Sequence, residues 1–252
     1  MNEIQSKKNT LIKETKKLAQ KKYRQQTNQY LIDGWHLVQE AIKAKAAIQT
    51  IFVTTHGYDE FGAILAPLEA AVYVITEEIA AYLSELPTPQ GIFAVVEKEN
   101  QMPDHLKGNW LILDNVQDPG NVGTMIRTAD AAGFTGVFLG TGTADLYSAK
   151  VLRSMQGSNF HLPIVEGEIS AFIEALRAES VMIYGTELNK NALPYTEIKQ
   201  YPAAFILGNE GQGVQKGLLA LTDQNVYIPI YGEAESLNVA IAAGILMYHA
   251  IG

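Results

Sequence analysis

Residues 110–134 read WLILDNVQDPGNVGTMIRTADAAGF, and the order of residue types in this stretch decides the fold. WLILD is a short, continuous apolar run, the pattern of a strand covered on both faces. Asp118, Pro119, Gly120, Asn121 and Gly123 make a loop that opens a helix. Val122, Met125, Ile126, Ala129 and Ala132 then recur at i, i+3, i+4, i+7 and i+10, one stripe for burial. The alternation continues downstream. Candidate strands are WLILD, GVFLG, LPIVE, VMIYGT, AAFILG and NVYIPI, and candidate helices are 121–132, 147–156, 168–179, 213–221 and 237–251. This pattern predicts an α/β domain with a parallel sheet. Its ligands are expected beyond the carboxyl ends of the strands.

Upstream, residues 10–24 have helical composition. Leu31 and Ile32 read as a strand, followed by a helix with Leu37, Val38, Ala41 and Ile42 on one face. IQTIFVT, AAVYVIT and GIFAVVE read as strands, with EEIAAYLSEL as a helix between the last two. EKENQMPDHLKGN is polar and holds a Pro and a Gly, the composition of a linker. The expected organisation is a first domain over 1–97, a linker over 98–108 and a second domain over 109–252.

Hydrophobic content of 47% and charged content of 18% fit a globular chain with a sizeable core. With no cysteine, disulfides and thiolate metal sites are excluded, and a reducing cytoplasm is the expected setting. The N-terminus lacks the apolar segment of a secretory signal, and no apolar run reaches membrane-spanning length. The net charge of −8 argues against nucleic acid as a partner until its distribution is considered. Residues 1–24 carry Lys7, Lys8, Lys13, Lys16, Lys17, Lys21, Lys22 and Arg24 against Glu3 and Glu14. That arm is +6 and the remainder −14. It suits either a phosphate backbone or a merely solubilising, frayed end.

Common catalytic signatures fail. GNEGQGV (208–214) and GTGTAD (140–145) lack the third glycine of a dinucleotide fingerprint, and no P-loop is present. The five histidines are scattered without metal-binding spacing, so no metal site is expected. Three polar clusters remain, each at a strand-to-helix junction. They are Asn115, Asp118, Asn121 and Arg127; then Gly208, Asn209, Glu210, Gly211 and Gly213; then GEAESLN before the last helix. Capping explains part of this, with Asn121 and Ser236 as candidate N-caps. Arg127 either pairs with Asp130 at i+3 or is held for a phosphate or carboxylate.

DPGNVGTMIRTADAAGF, ILGNEGQGV and IPIYGEAESLNVAIAAGILMY, in this order, resemble the three motifs of the SpoU (TrmH) family of RNA ribose 2′-O-methyltransferases, of the SPOUT class. KLAQKKYRQQTNQYLIDGWHLVQEAI and TPQGIFAVV resemble the small L30e-like substrate-binding domain often fused to it. The resemblance implies an L30e-like α/β domain followed by a SPOUT α/β domain with a deep trefoil knot in its C-terminal part. It also implies S-adenosylmethionine as cofactor, a homodimer, and structured RNA as substrate, with large-subunit ribosomal RNA favoured. A transfer RNA target and a non-catalytic RNA-binding role are the alternatives. By motif, Asn121, Arg127, Glu210, Ser236 and Asn238 match the family's catalytic positions. Gly208, Ile228 and Leu237 fall where the family contacts its cofactor, and Thr186 is a further candidate for that pocket. Lys150, Arg153 and Ser154, in YSAKVLRSMQGSNFHLP, are candidates for RNA phosphate beside the basic arm. The family proposal makes Arg127 the general base. A guanidinium pKa above ~12 makes a phosphate clamp that orients the hydroxyl the physically easier role.

Overall fold

The computed structural model describes residues 2–99 and 102–252. Contacts divide the chain into two compact units, the first formed by residues up to Glu99 together with Tyr147–Phe160, the second by the rest. Asn100 and Gln101, in the expected linker, lie outside the described residues. The end of that linker belongs to the second unit's core: Leu106 is buried and its carbonyl accepts from Trp110 Nε1 at 2.7 Å.

The first unit runs β1 (Asn2–Ile4), α1 (Thr10–Lys17), α2 (Lys21–Thr27), β2 (Gln29–Asp33), α3 (Trp35–Lys43), β3 (Ile48–Thr54), α4 (Thr55–Leu65), β4 (Ala71–Ile75), α5 (Glu77–Leu83) and β5 (Ile92–Glu97). The sheet order is β1-β4-β3-β5-β2. The first three are parallel, and β5 runs antiparallel to both β3 and β2. The helix expected over 10–24 is two helices. Leu18 ends α1 by turning into the core with Ile12, and Gln20, in extended conformation, starts α2. Arg24 is only 4% exposed and donates from Nη1 to the Leu18 carbonyl at 2.6 Å, closing the turn between the helices. The N-terminal arm is therefore part of the domain rather than a frayed end: Ile4 and Ile12 are buried in the same cluster as Phe52 and Phe93. Helix α4 went unrecognised in the sequence because THGYDEFGAIL holds two glycines and opens on β-branched Thr55. Burial of Phe61 and Leu65, with Thr54 capping from its side chain, outweighs that weak propensity.

The second unit begins with β6 (Trp110–Leu113), α6 (Pro119–Ala131) and β7 (Gly136–Gly140). The chain then supplies α7 (Ala149–Met155) to the first unit, where the Tyr147 ring lies 4.6 Å from that of Tyr30 and Asn159 Nδ2 donates to the Tyr30 hydroxyl at 3.1 Å. It continues with β8 (Ile164–Gly167), α8 (Ile169–Ala178), β9 (Met182–Thr186), β10 (Leu193–Pro194), β11 (Ala203–Leu207), α9 (Lys216–Leu219), β12 (Gln224–Tyr227) and α10 (Val239–His249). The seven strands are all parallel, in the order β10-β12-β9-β11-β6-β7-β8. The central strands β6, β7 and β11 are buried along their whole length, as their unbroken apolar runs require. From β6 the chain proceeds toward β7, and from β11 toward β12. Strand order thus reverses between β6 and β11, the place where open α/β sheets bind ligands.

Candidate active site

The loops leaving β6 and β11 meet at this reversal. Buried Asp114 fastens them, accepting from the Gln215 backbone N–H at 2.7 Å and from Gln215 Nε2 at 2.6 Å. Asn209 Nδ2 donates to the Asn115 carbonyl at 3.0 Å. The loop after β11 doubles back on itself, with Asn209 and Gly213 exchanging both backbone hydrogen bonds. Gly208 is required there, since a Cβ would lie 2.0 Å from the carbonyl carbon of Gly213.

Glu210 projects from this turn onto the mouth of α6. It accepts from the backbone N–H of Gln117 at 3.3 Å and of Asp118 at 3.2 Å, and from Asn121 Nδ2 at 3.0 Å. Burial pushes its carboxyl upward, but the hydrogen bonds from Asn121 and from backbone N–H groups outweigh that and hold it below the usual carboxylate range. Asn121 Oδ1 in turn accepts from Asn238 Nδ2 at 3.1 Å. The three sequence clusters are thereby one chain of hydrogen bonds, Glu210 to Asn121 to Asn238.

The caps differ from expectation. Asp118, not Asn121, caps α6, accepting from Asn121 N at 2.8 Å. Asn238, not Ser236, caps α10, accepting from Ala240 N at 2.9 Å and Ile241 N at 3.3 Å. With Asp118 as cap, the Asn121 side chain is released for the network. Glu210 bonds to Asn121 and the loop amides rather than to Arg127. Arg127 is exposed on α6 and makes no hydrogen bond or ion pair among the described residues. Asp130, its alternative partner, faces His161 Nδ1 at 2.8 Å instead.

A cavity of about 590 Å³ opens at the carboxyl ends of β9 and β12. Thr186, Ile228, Ser236 and Leu237 line it, and Gly208 stands outside its wall. Its apolar wall, including Leu246 of α10, suits a flat heterocycle, and the carboxylates of Glu187 and Glu235 suit a cation. Sequence reasoning missed Glu187, because nothing in its neighbourhood marks it until the end of β9 is placed beside β12. Among the described residues no group of three or more His, Cys, Asp or Glu side chains is placed to hold a metal ion.

The basic candidates divide. Lys8, Lys13, Lys21, Lys22 and Lys150 are exposed. Lys7 pairs with Glu78 at 2.8 Å, Lys17 with Glu14 at 2.7 Å, and Lys16 donates to the Leu83 carbonyl at 3.3 Å. Arg24 is a correction: its buried guanidinium is spent on the turn between α1 and α2 and is withdrawn from any phosphate. Arg153 is also drawn inward, with Nη1 buried and its charge acting on Asp33, while Ser154 donates to its own helix at Lys150 O.

The SpoU rRNA Methylase family model matches residues 108–248, and that of the MRM3-like substrate binding domain matches residues 9–94. The chain is 48% identical, over 100% of both chains, to the 23S rRNA (guanosine(2553)-2′-O)-methyltransferase RlmP of Bacillus subtilis. It is 34% identical to the 23S rRNA (uridine(2479)-2′-O)-methyltransferase of Streptomyces viridochromogenes, over 71% of this chain and 68% of that one. Among solved structures, the AdoMet-bound rRNA methyltransferase from Sinorhizobium meliloti matches with a TM-score of 0.89 at 31% identity, covering 99% of this chain and 97% of that one. On the joined motifs, the fold and these relatives, the chain belongs to the SpoU rRNA methylase family.

Proposed function

We propose that this protein is an S-adenosylmethionine-dependent methyltransferase acting on a ribose 2′-hydroxyl of 23S rRNA, at the nucleotide equivalent to guanosine 2553. The full-length 48% identity to the enzyme of that specificity carries the reading. The joined Glu210–Asn121–Asn238 network supports it.

The cofactor supplies a methyl group on a sulfonium, already electrophilic. Thr186, Ile228 and Leu237 would hold it in the 590 Å³ cavity, with Glu187 and Glu235 complementing its charge. Arg127 would clamp the phosphate next to the target ribose and hold the 2′-hydroxyl in place for transfer, and its positive charge would ease passage of the hydroxyl proton to solvent water. Asn121 and Asn238 hold the loop in register with α10, and Glu210 keeps Asn121 in place. Ser236 borders the cavity as a hydrogen-bond donor to substrate or cofactor.

The C-terminal segment forms a trefoil knot in this reading. It is supported by α10, which follows β12 in the chain, packing back on α6 and β11. The working unit is a homodimer closed by α10. That helix is apolar on all sides, yet Ile241 is 57% exposed and Tyr248 53%. The first domain and its lysines grip RNA, and the cysteine-free chain works in the cytoplasm.

Mass-spectrometric mapping of ribosomal RNA from a deletion strain tests the function. One 2′-O-methyl at the position equivalent to 2553 disappears, returns with the intact gene, and does not return with Arg127→Ala. Unchanged methylation there would refute the assignment.

A further inference from the structure

The first unit contains a second cavity, of about 290 Å³, which the methyl-transfer reaction does not use. Helices α1 and α2 wall it, and its floor is the end of the sheet where β2, β5 and β3 lie side by side. Tyr23 lines it from α2, Gln29 from β2, and Gln49 and Thr50 from β3. Two adjacent strand residues ordinarily point to opposite faces. Here both reach one cavity because β3 slips register between Ile48 and Thr50, where Ile48 faces Val96 and Thr50 faces Val95. Gln49 is the extra residue of this bulge, a device that re-aims a side chain. Gln49 Nε2 donates to Glu97 Oε1 at 3.0 Å, which leaves its carbonyl oxygen as an acceptor. Lys17 Nζ lies 5.4 Å from the centre of the Tyr23 ring and is tied to Glu14, so the cavity mouth is close to neutral while Lys13, Lys21 and Lys22 stand exposed on the same two helices.

An aromatic ring, two carboxamides and the Thr50 hydroxyl line this small cavity, with the Lys17–Glu14 pair at its mouth, and match the chemistry of one unstacked nucleobase. The ring stacks on the base and the amide and hydroxyl groups read its edge, while the exposed lysines elsewhere on α1 and α2 attract the RNA backbone at longer range. We propose that this cavity is a nucleobase subsite that captures a single-stranded base of the RNA substrate away from the methylated nucleotide. The inference rests on the reading of the protein as an rRNA methyltransferase.

The test is binding of a 23S rRNA fragment spanning position 2553, followed by fluorescence anisotropy across a salt series. Tyr23→Leu keeps apolar bulk and loses stacking, and Gln49→Ala removes an exposed side chain without touching the core. Loss of one stacked base weakens binding roughly 5- to 150-fold. The slope of log K against log salt stays the same, because no phosphate contact is removed. Affinity within twofold of the parent for Gln49→Ala and for a folded Tyr23→Leu overturns the subsite. So does a weakened affinity with a flattened slope, which assigns these positions to backbone contact. If Tyr23→Leu fails to fold, Gln49→Ala decides alone. A parent protein that neither binds nor methylates the fragment overturns the rRNA reading itself, and the subsite with it.

Discussion

Arg127 shows how a single side chain is assigned by its neighbours' choices. Asp118 takes the cap of α6, Asp130 takes His161, and Glu210 takes Asn121, so the guanidinium has no partner among the described residues, which suits the proposed phosphate clamp. Arg127→Ala is therefore expected to lower the single-turnover rate by about 10²- to 10³-fold, with cofactor affinity and melting temperature unchanged. An equal loss of cofactor affinity, measured calorimetrically, would place Arg127 in the cofactor pocket instead. Glu210 gives a pH prediction. Its folded-state pKa lies below the ordinary value of 4.5, so its carboxylate contributes stability in full above that value and loses it as pH falls through the depressed folded value. The melting temperature of Glu210→Gln should thus fall below that of the parent at neutral pH, and the gap should close as acid is added below pH 4.5. A gap constant down to pH 3 would sink the assignment. The motif residues were legible individually, through the resemblance and their place at strand ends. Their caps were not: Asn, Asp and Ser all cap well, and only the backbone at 118 and 238 decides which does.

At the scale of elements, burial rather than composition decides what α1 and α10 do. Lysines made α1 look like a loose arm, yet Ile12 is fully buried. Ile12→Ala should cost roughly 2–5 kcal/mol of stability in chemical denaturation. A cost below 0.5 kcal/mol would restore the frayed arm. Deleting 1–24 would remove β1 and Ile4 as well, and so could not isolate RNA binding. Helix α10 is apolar on every side, yet one side buries Ala243, Leu246 and Met247 while Ile241 and Tyr248 face outward. A second copy of the chain covers that side in the proposed homodimer. Ile241→Glu should shift sedimentation from dimer to monomer with the fold retained, and a dimer that survives would move the interface elsewhere.

At the scale of the whole molecule, the proposed grip on RNA by a chain of net charge −8 rests on the excess of +6 carried by residues 1–24 and, within it, on the exposed Lys8, Lys13, Lys21 and Lys22. Replacing Lys13, Lys21 and Lys22 together by Ala should weaken RNA binding and reduce the salt slope by about 2, with the melting temperature unchanged. An unaltered slope would remove these lysines from the interface. The alternation of strands and helices was readable because a strand buried on both faces must be continuously apolar and a helix on a sheet must carry a stripe. That local demand also made the three loops and their order visible. Strand order was not readable, since WLIL and AAFIL carry equivalent apolar runs and neither names its neighbour. Nor was the attachment of Tyr147–Phe160 to the first unit, which depends on Tyr147, Asn159 and Tyr30 meeting across more than a hundred residues. By itself the sequence determined the α/β class, the motif residues and the family resemblance, because each depends on residue type and short-range spacing. Only the tertiary structure decided that β6 lies beside β11, and so that Glu210, Asn121 and Asn238 join in one chain of hydrogen bonds, because contacts between distant segments are set by packing and hydrogen bonding summed over the whole fold.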